Sequence, residues 1–113
     1  MIKFEELGFT PGILNAIQEL GFDEPMPVQE KVIPLMLSGD RDIIALAQTG
    51  TGKTAAFGLP LVQATDTETN STQALILCPT RELCIQITGD LADYARFTGK
   101  NVAPCSFNTN TNG

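Results

Sequence analysis

Apolar residues recur at helical spacing in four places along the chain. Ile13, Ile17 and Leu20 share one face of a predicted helix that opens after Thr10-Pro11, a cap-like residue with a proline in the first turn. Val28, Val32 and Met36 make a second stripe, closed by Ser38-Gly39-Asp40; Pro34 lies inside it and predicts a kink or an early end. A third helix is predicted from a glycine-rich loop to about Gln63. The fourth carries Leu83, Ile87, Leu91 and Ala95 at successive i+4 positions, with Thr80 as its candidate N-cap. Two shorter runs, Ile43 to Leu46 and Ala74 to Cys78, are apolar at every position, the pattern of parallel strands buried on both faces.

Placed in order, these elements read helix, helix, strand, loop, helix, strand, helix. The expected fold class is α/β: a right-handed βαβ unit in a parallel sheet with flanking helices, preceded by an N-terminal helical extension. The polar segment Thr65 to Thr72 is a surface connection between the third helix and the second strand. Asn101-Val102-Ala103 has the composition of a third strand's start. From Cys105 to Gly113 the chain turns polar and repetitive. The expected organisation is therefore one partial domain over 1–104 and a disordered polar tail over 105–113.

Composition narrows the class. Of 113 residues, 42% are hydrophobic and 18% charged, enough for a core and unlike a disordered chain. No apolar run approaches the roughly twenty residues of a membrane span, and the acidic start Met1 to Glu6 carries no secretory h-region. Three cysteines without C-x-x-C spacing argue for reduced thiols and a cytoplasmic setting rather than a disulfide framework or a zinc site. With no His, imidazole acid–base chemistry is excluded. The net charge of −6 is the wrong sign for a free-standing nucleic-acid binder, so any such contact must be local and made by few groups.

The chemistry concentrates in Ala47-Gln48-Thr49-Gly50-Thr51-Gly52-Lys53-Thr54, between the first strand-like run and the third helix. A phosphate-binding loop works only in that position. Gly50, Thr51 and Gly52 supply backbone N–H donors turned inward, Lys53 a point charge for the outer phosphates, and Thr54 a hydroxyl for Mg²⁺. Ala47 stands where the general pattern has its first glycine. The loop alone predicts a nucleoside triphosphate.

Two flanking segments carry weaker signals. Upstream, Gly21 to Gln29 contains an aromatic, Phe22, able to stack on a base, and Gln29, whose amide matches the N6/N7 edge of adenine. Taken alone, Gln29 reads more simply as a solvated residue of a helix's first turn. Downstream, Pro79-Thr80-Arg81-Glu82-Leu83 puts Thr80 at a helix N-terminus and Arg81 beside it, suited to a phosphate. An ordinary capped helix with a solvated Arg81 fits those residues equally well. Asp90, Asp93 and Arg96 read as a solvated helix face.

The spacing of Phe4, the Gly21–Gln29 block, Ala47–Thr54 and Pro79–Leu83 resembles the start of a DEAD-box RNA helicase: the isolated aromatic and Q motif, motif I with Ala in first place, and motif Ia. Met26 departs from the family, which usually has Thr there and so a capping hydroxyl. The resemblance covers about residues 4–104 and implies a RecA-like P-loop domain. It implies that Gln29 reads adenine with Phe22 beside it, that Lys53 and Thr54 hold the phosphates and Mg²⁺ of ATP, and that Thr80 and Arg81 touch RNA backbone phosphates without sequence preference. The Asp-Glu-Ala-Asp segment and later motifs of such helicases are not in these residues. No catalytic residue is therefore assigned, and this polypeptide is expected to bind ATP without useful turnover. A non-enzymatic ATP- or RNA-binding decoy and an unrelated P-loop kinase are the alternatives.

Overall fold

All four apolar stripes fold as helices in a computed structural model of the chain, which describes residues 3–39, 42–45, 52–65 and 73–98. A 3-10 turn at Phe4–Glu6 precedes α1 (Pro11–Glu19), α2 (Pro27–Ser38), α3 (Lys53–Ala64) and α4 (Arg81–Ala95). The third helix packs against α2 on one side and α4 on the other, and α1 lies against α4. Ile13 of α1, Ile33 of α2 and Leu59 of α3 are completely buried and join Phe4, Leu7, Phe9, Ile87, Leu91 and Tyr94 in one core.

The faces are rotated slightly from the predicted stripes. Leu20 caps α1 just beyond its last turn and is exposed, while Ala16 takes the buried place beside Ile13 and Ile17. In α2 the buried face is Gln29, Val32 and Ile33, with Val28 and Met36 at its edges. In α4 it is Ile87, Leu91, Tyr94 and Ala95, and Leu83 is exposed. An i+4 series drifts around a helix of 3.6 residues per turn, so Leu20 and Leu83 fall outside the buried faces, while Ile13, Ile17, Val32, Ile87, Leu91 and Ala95 lie within them. Pro34 does not end α2, which continues to Ser38. Its ring faces solvent, where water can reach the Glu30 carbonyl that loses its helical donor. The helix stops at Gly39, which adopts the left-handed conformation.

The sheet is where expectation and structure part. Among the described residues there is no strand; 42–45 and 73–78 are non-helical and pair in no ladder. Ile44 is 92% exposed and Leu77 85%, so these runs are not buried on both faces as expected. Ile76 and Cys78 pack on the core while Leu75 and Leu77 point outward, the alternation of an extended segment covered on one side. A run of apolar residues states what a strand would bury; only a neighbouring strand along its edge makes it one. Leu46, the connection from 66 to 72, the run 101–103 and the tail lie outside the described residues.

Two contacts fix α3 in place. The Gln63 amide accepts from the Thr10 N–H at 2.9 Å and donates to the Gly8 carbonyl at 3.0 Å, tying the end of α3 to the entry of α1. At mid-helix, Gly58 lets α4 approach: a Cβ there would stand 2.8 Å from Leu91 Cδ2 and 2.9 Å from Tyr94 Cε2. Gly58→Ala gains helix propensity, about 1 kcal/mol, against an overpacking cost of about 1–3 kcal/mol. The expected net result is a chain about 1 kcal/mol less stable, read as a lower midpoint in urea unfolding followed by circular dichroism. A higher midpoint would mean that α4 shifts freely to make room.

Candidate nucleotide site

Phe22 is positioned by the way α1 ends. Gly21 adopts φ +77°, the Gly21 N–H bonds the Gln18 carbonyl at 3.1 Å and the Phe22 N–H bonds the Ile17 carbonyl at 3.2 Å. This is a Schellman cap, which a glycine makes without Cβ strain and which satisfies two of the helix's last carbonyls. It turns the chain so that the Phe22 ring stacks on Phe4, with centroids 6.3 Å apart and planes inclined by 29°. Phe4 is buried and Phe22 is 37% exposed. One aromatic thus anchors the other and leaves it a free surface.

Gln29 is the only buried polar residue among those described, at 4% exposure. It stands at the third position of α2, where a side chain can reach back to the helix entry. Its Oε1 accepts from the Met26 N–H at 2.8 Å. Met26 brings a thioether where a hydroxyl would cap the helix, and makes no side-chain cap bond; the Gln29 half of the capping arrangement holds the N-terminus alone. The Gln29 Nε2 donates to the Gly52 carbonyl at 3.2 Å. That carbonyl also receives the Ala56 N–H at 3.1 Å, the first bond of α3. Each half of the amide therefore retains one unused position, a lone pair on oxygen and an N–H on nitrogen.

Gly52 is the N-cap of α3 at φ +83°. A Cβ at this position would collide with Gln29 Nε2 and come within 3.2 Å of Met26 Cγ. The requirement for glycine here is thus double, in backbone conformation and in space. Lys53 and Thr54 follow as the first residues of α3; Lys53 is exposed and Thr54 half-buried. No acidic residue lies in that first turn, so the helix presents a lysine and its first N–H groups at its positive end, an arrangement suited to an anion. Gly50 and Thr51 lie outside the described residues.

Thr80 caps α4 as expected: its Oγ1 accepts from the Leu83 N–H at 3.2 Å, and its carbonyl receives the Cys84 N–H at 3.1 Å. The hydroxyl proton remains available to a phosphate. Arg81, the first residue of α4, is exposed. Of the residues singled out in the sequence, the structure joins Gln29 to Gly52 and hence to Lys53 and Thr54. Thr80 and Arg81 form a second group at the start of a different helix. The link between Gln29 and Gly52 had no signal in the sequence, because the two are separated by 23 positions that no periodicity connects.

Residues 26–112, well over half of the chain, match the family model for the DEAD/DEAH box helicase. The chain belongs to this family. It is 53% identical over 91 residues to an ATP-dependent RNA helicase, CshA, of Listeria monocytogenes, covering 80% of this chain and 17% of that protein. With the CshA of Bacillus cereus it shares 44% identity over 104 residues, covering 92% of this chain and 20% of the relative. Among solved structures it is similar to a DEAD box protein from Methanococcus jannaschii at a TM-score of 0.80 and 44% identity, covering 83% of this chain and 26% of that one. Dbp5 of S. cerevisiae bound to RNA and ADP BeF3 superposes at a TM-score of 0.84 with 38% identity, covering 96% of this chain and 29% of Dbp5. The fold is thus that of DEAD-box helicase domains, and the chain spans about a fifth of the length of these curated relatives. Among the described residues, no helix is long and apolar enough to cross a membrane.

Proposed function

We propose that this chain forms the ATP-holding start of a DEAD-box helicase domain and works in the cytoplasm, 1–104 being its share of that domain. The observation that carries the reading is the Gln29 amide bridging Met26 and the Gly52 carbonyl. It puts a base-reading side chain and the anion-binding end of α3 on one rigid unit. Adenine takes the remaining lone pair and N–H of Gln29 through its N6/N7 edge and lies against Phe22. The phosphates meet the Lys53 ammonium and the backbone N–H groups of Gly50, Thr51 and Gly52. Thr54 suits Mg²⁺, which commonly takes one or two protein oxygens and completes its shell with phosphate and water; the ion would neutralise phosphate charge. Runs 43–46 and 74–78 become strands when neighbouring strands of a RecA-like sheet flank them.

Thr80 and Arg81 are the contacts to RNA backbone. The Thr80 proton and the Arg81 guanidinium both address a phosphate oxygen and ignore base identity, which lets a chain of net charge −6 engage RNA locally. Sequence-specific DNA recognition has no support. The relative Dbp5 is bound to RNA and ADP BeF3, ligands of the same two classes.

Titration of the chain with a fluorescent ATP analogue and Mg²⁺ tests the reading. Lys53→Ala is expected to weaken binding about tenfold or more, since roughly 1.4 kcal/mol of charge-assisted contact is enough for that. Because Lys53 is exposed, the melting temperature should hardly move. Equal affinity of both chains would refute the site. Phosphate release by the unaltered chain is expected to stay at background with or without RNA.

A further inference from the structure

Phe22 leans on Phe4, and Phe4 belongs to the segment that enters the fold ahead of α1. That segment buries three apolar side chains, Phe4, Leu7 and Phe9. Its backbone is fixed in two places. The Leu7 N–H bonds the Phe4 carbonyl at 3.1 Å and the Glu6 N–H bonds the Lys3 carbonyl at 2.9 Å, closing the 3-10 turn. Beyond the turn, the Gly8 carbonyl and the Thr10 N–H are both taken by the side chain of Gln63, from the last turn of α3. Thr10 is the N-cap of α1, where the backbone N–H has no partner within the helix, and its hydroxyl makes no cap bond. Apolar burial has no direction, so it tolerates a segment that slides along the core. Two hydrogen bonds from one planar amide do not.

Gln63 thus sets both supports of Phe22. Through Gly8 it fixes the end of the turn that carries Phe4, and through Thr10 it fixes the start of α1, whose other end places Phe22 by its Schellman cap. Gln29, in turn, grips the start of α3 at the Gly52 carbonyl. The two amides hang Phe22 and Gln29 on opposite ends of one helix. We propose that Gln63 is a positioning residue for Phe22, setting the ring against which the base lies. Its effect on binding rests on the adenine-site reading above; its effect on the ring does not. Gln63 stands about 15 Å along α3 from Lys53 at 1.5 Å per residue. Its loss therefore acts on the base and leaves the phosphate end of the helix as it was.

Met is unbranched and flexible, so Gln63→Met fills the same space while removing both bonds. The chain contains no Trp, and Phe22→Trp puts a single indole at the ring's position. Circular dichroism in urea first defines conditions in which every variant is folded. There, acrylamide quenching of the indole is expected to rise when Gln63→Met is added, to near the value given by Phe4→Leu, which removes the supporting ring directly. Gln63→Glu keeps the acceptor for the Thr10 N–H and loses the donor to Gly8, and its quenching is expected to fall between. With Phe22 intact, Gln63→Met is expected to weaken ATP binding about two- to tenfold, the worth of one aromatic contact. Inorganic tripolyphosphate with Mg²⁺ should bind with unchanged affinity, whereas a merely structural role would weaken both ligands together. Unchanged quenching would overturn the proposal, and so would equal weakening of ATP and tripolyphosphate. If neither chain bound ATP while the indole still loosened, the site reading would fail and the positioning of Phe22 would stand.

Discussion

A Leu59→Ala chain is expected to lose about 2–5 kcal/mol of stability and, with it, nucleotide binding. Leu59 is completely buried at the centre of α3, and α3 is the helix against which both α2 and α4 pack. Its truncation opens a void bounded by three elements, and such a site collapses poorly because each wall is held by another. Whole domains of this size are stable by about 5–15 kcal/mol, so the loss is a large share of the total. Urea unfolding monitored by helical circular dichroism would measure it. The same samples should show ATP affinity falling with the folded fraction, since Lys53 and Thr54 stand on the same helix. A change below about 1 kcal/mol would show that α3 is not the core element described here.

Gly52→Ala should be the most damaging small change in the site. The left-handed backbone at φ +83° disfavours any residue with a Cβ by about 1–2 kcal/mol. In addition, the new Cβ occupies the place of Gln29 Nε2. Displacing that amide leaves the Met26 N–H and one side of the Gly52 carbonyl without their partner, about 1–3 kcal/mol more. Gln29→Ala removes the same hydrogen bonds without the backbone strain, so its stability loss should be the smaller of the two. Both changes should erase a preference for ATP over GTP.

Gln29→Glu separates the two halves of the amide. A carboxylate still accepts from the Met26 N–H, but it faces the Gly52 carbonyl with no donor and brings negative charge toward the phosphates. Stability close to that of Gln29→Ala, with ATP affinity lower still, is the expected pattern in thermal melts and equilibrium titrations. If Gln29→Ala left both stability and nucleotide preference unchanged, the bridge would have no energetic role.

Leu59 and Gly52 mark the boundary between sequence and structure. The helices were legible because each must bury a face against the others, and burial writes itself into the sequence as a repeat near 3.6 residues. Ile13, Ile17, Val32, Ile87 and Leu91 were found in that way and are buried. The phosphate loop was legible for a similar reason: Gly52, Lys53 and Thr54 are neighbours in the chain, so their geometry is local. Thr80 as a cap was local too. That α2 runs past Pro34 to Ser38 depends on which side of the helix meets solvent, a tertiary fact.

Gln29 shows the limit best. Alone in the sequence it read as a solvated first-turn residue, and the folded chain buries it between α2 and α3 with both ends of its amide bonded. Strand pairing lay beyond reach for the same reason. The sequence by itself determined the helices, the anion-binding end of α3 and the family, because those follow from local spacing and from motifs. Which face each helix finally turned inward, what Gln29 holds and where the apolar runs find partners were decided by tertiary structure. Those contacts join residues far apart in the chain, and no local pattern encodes them.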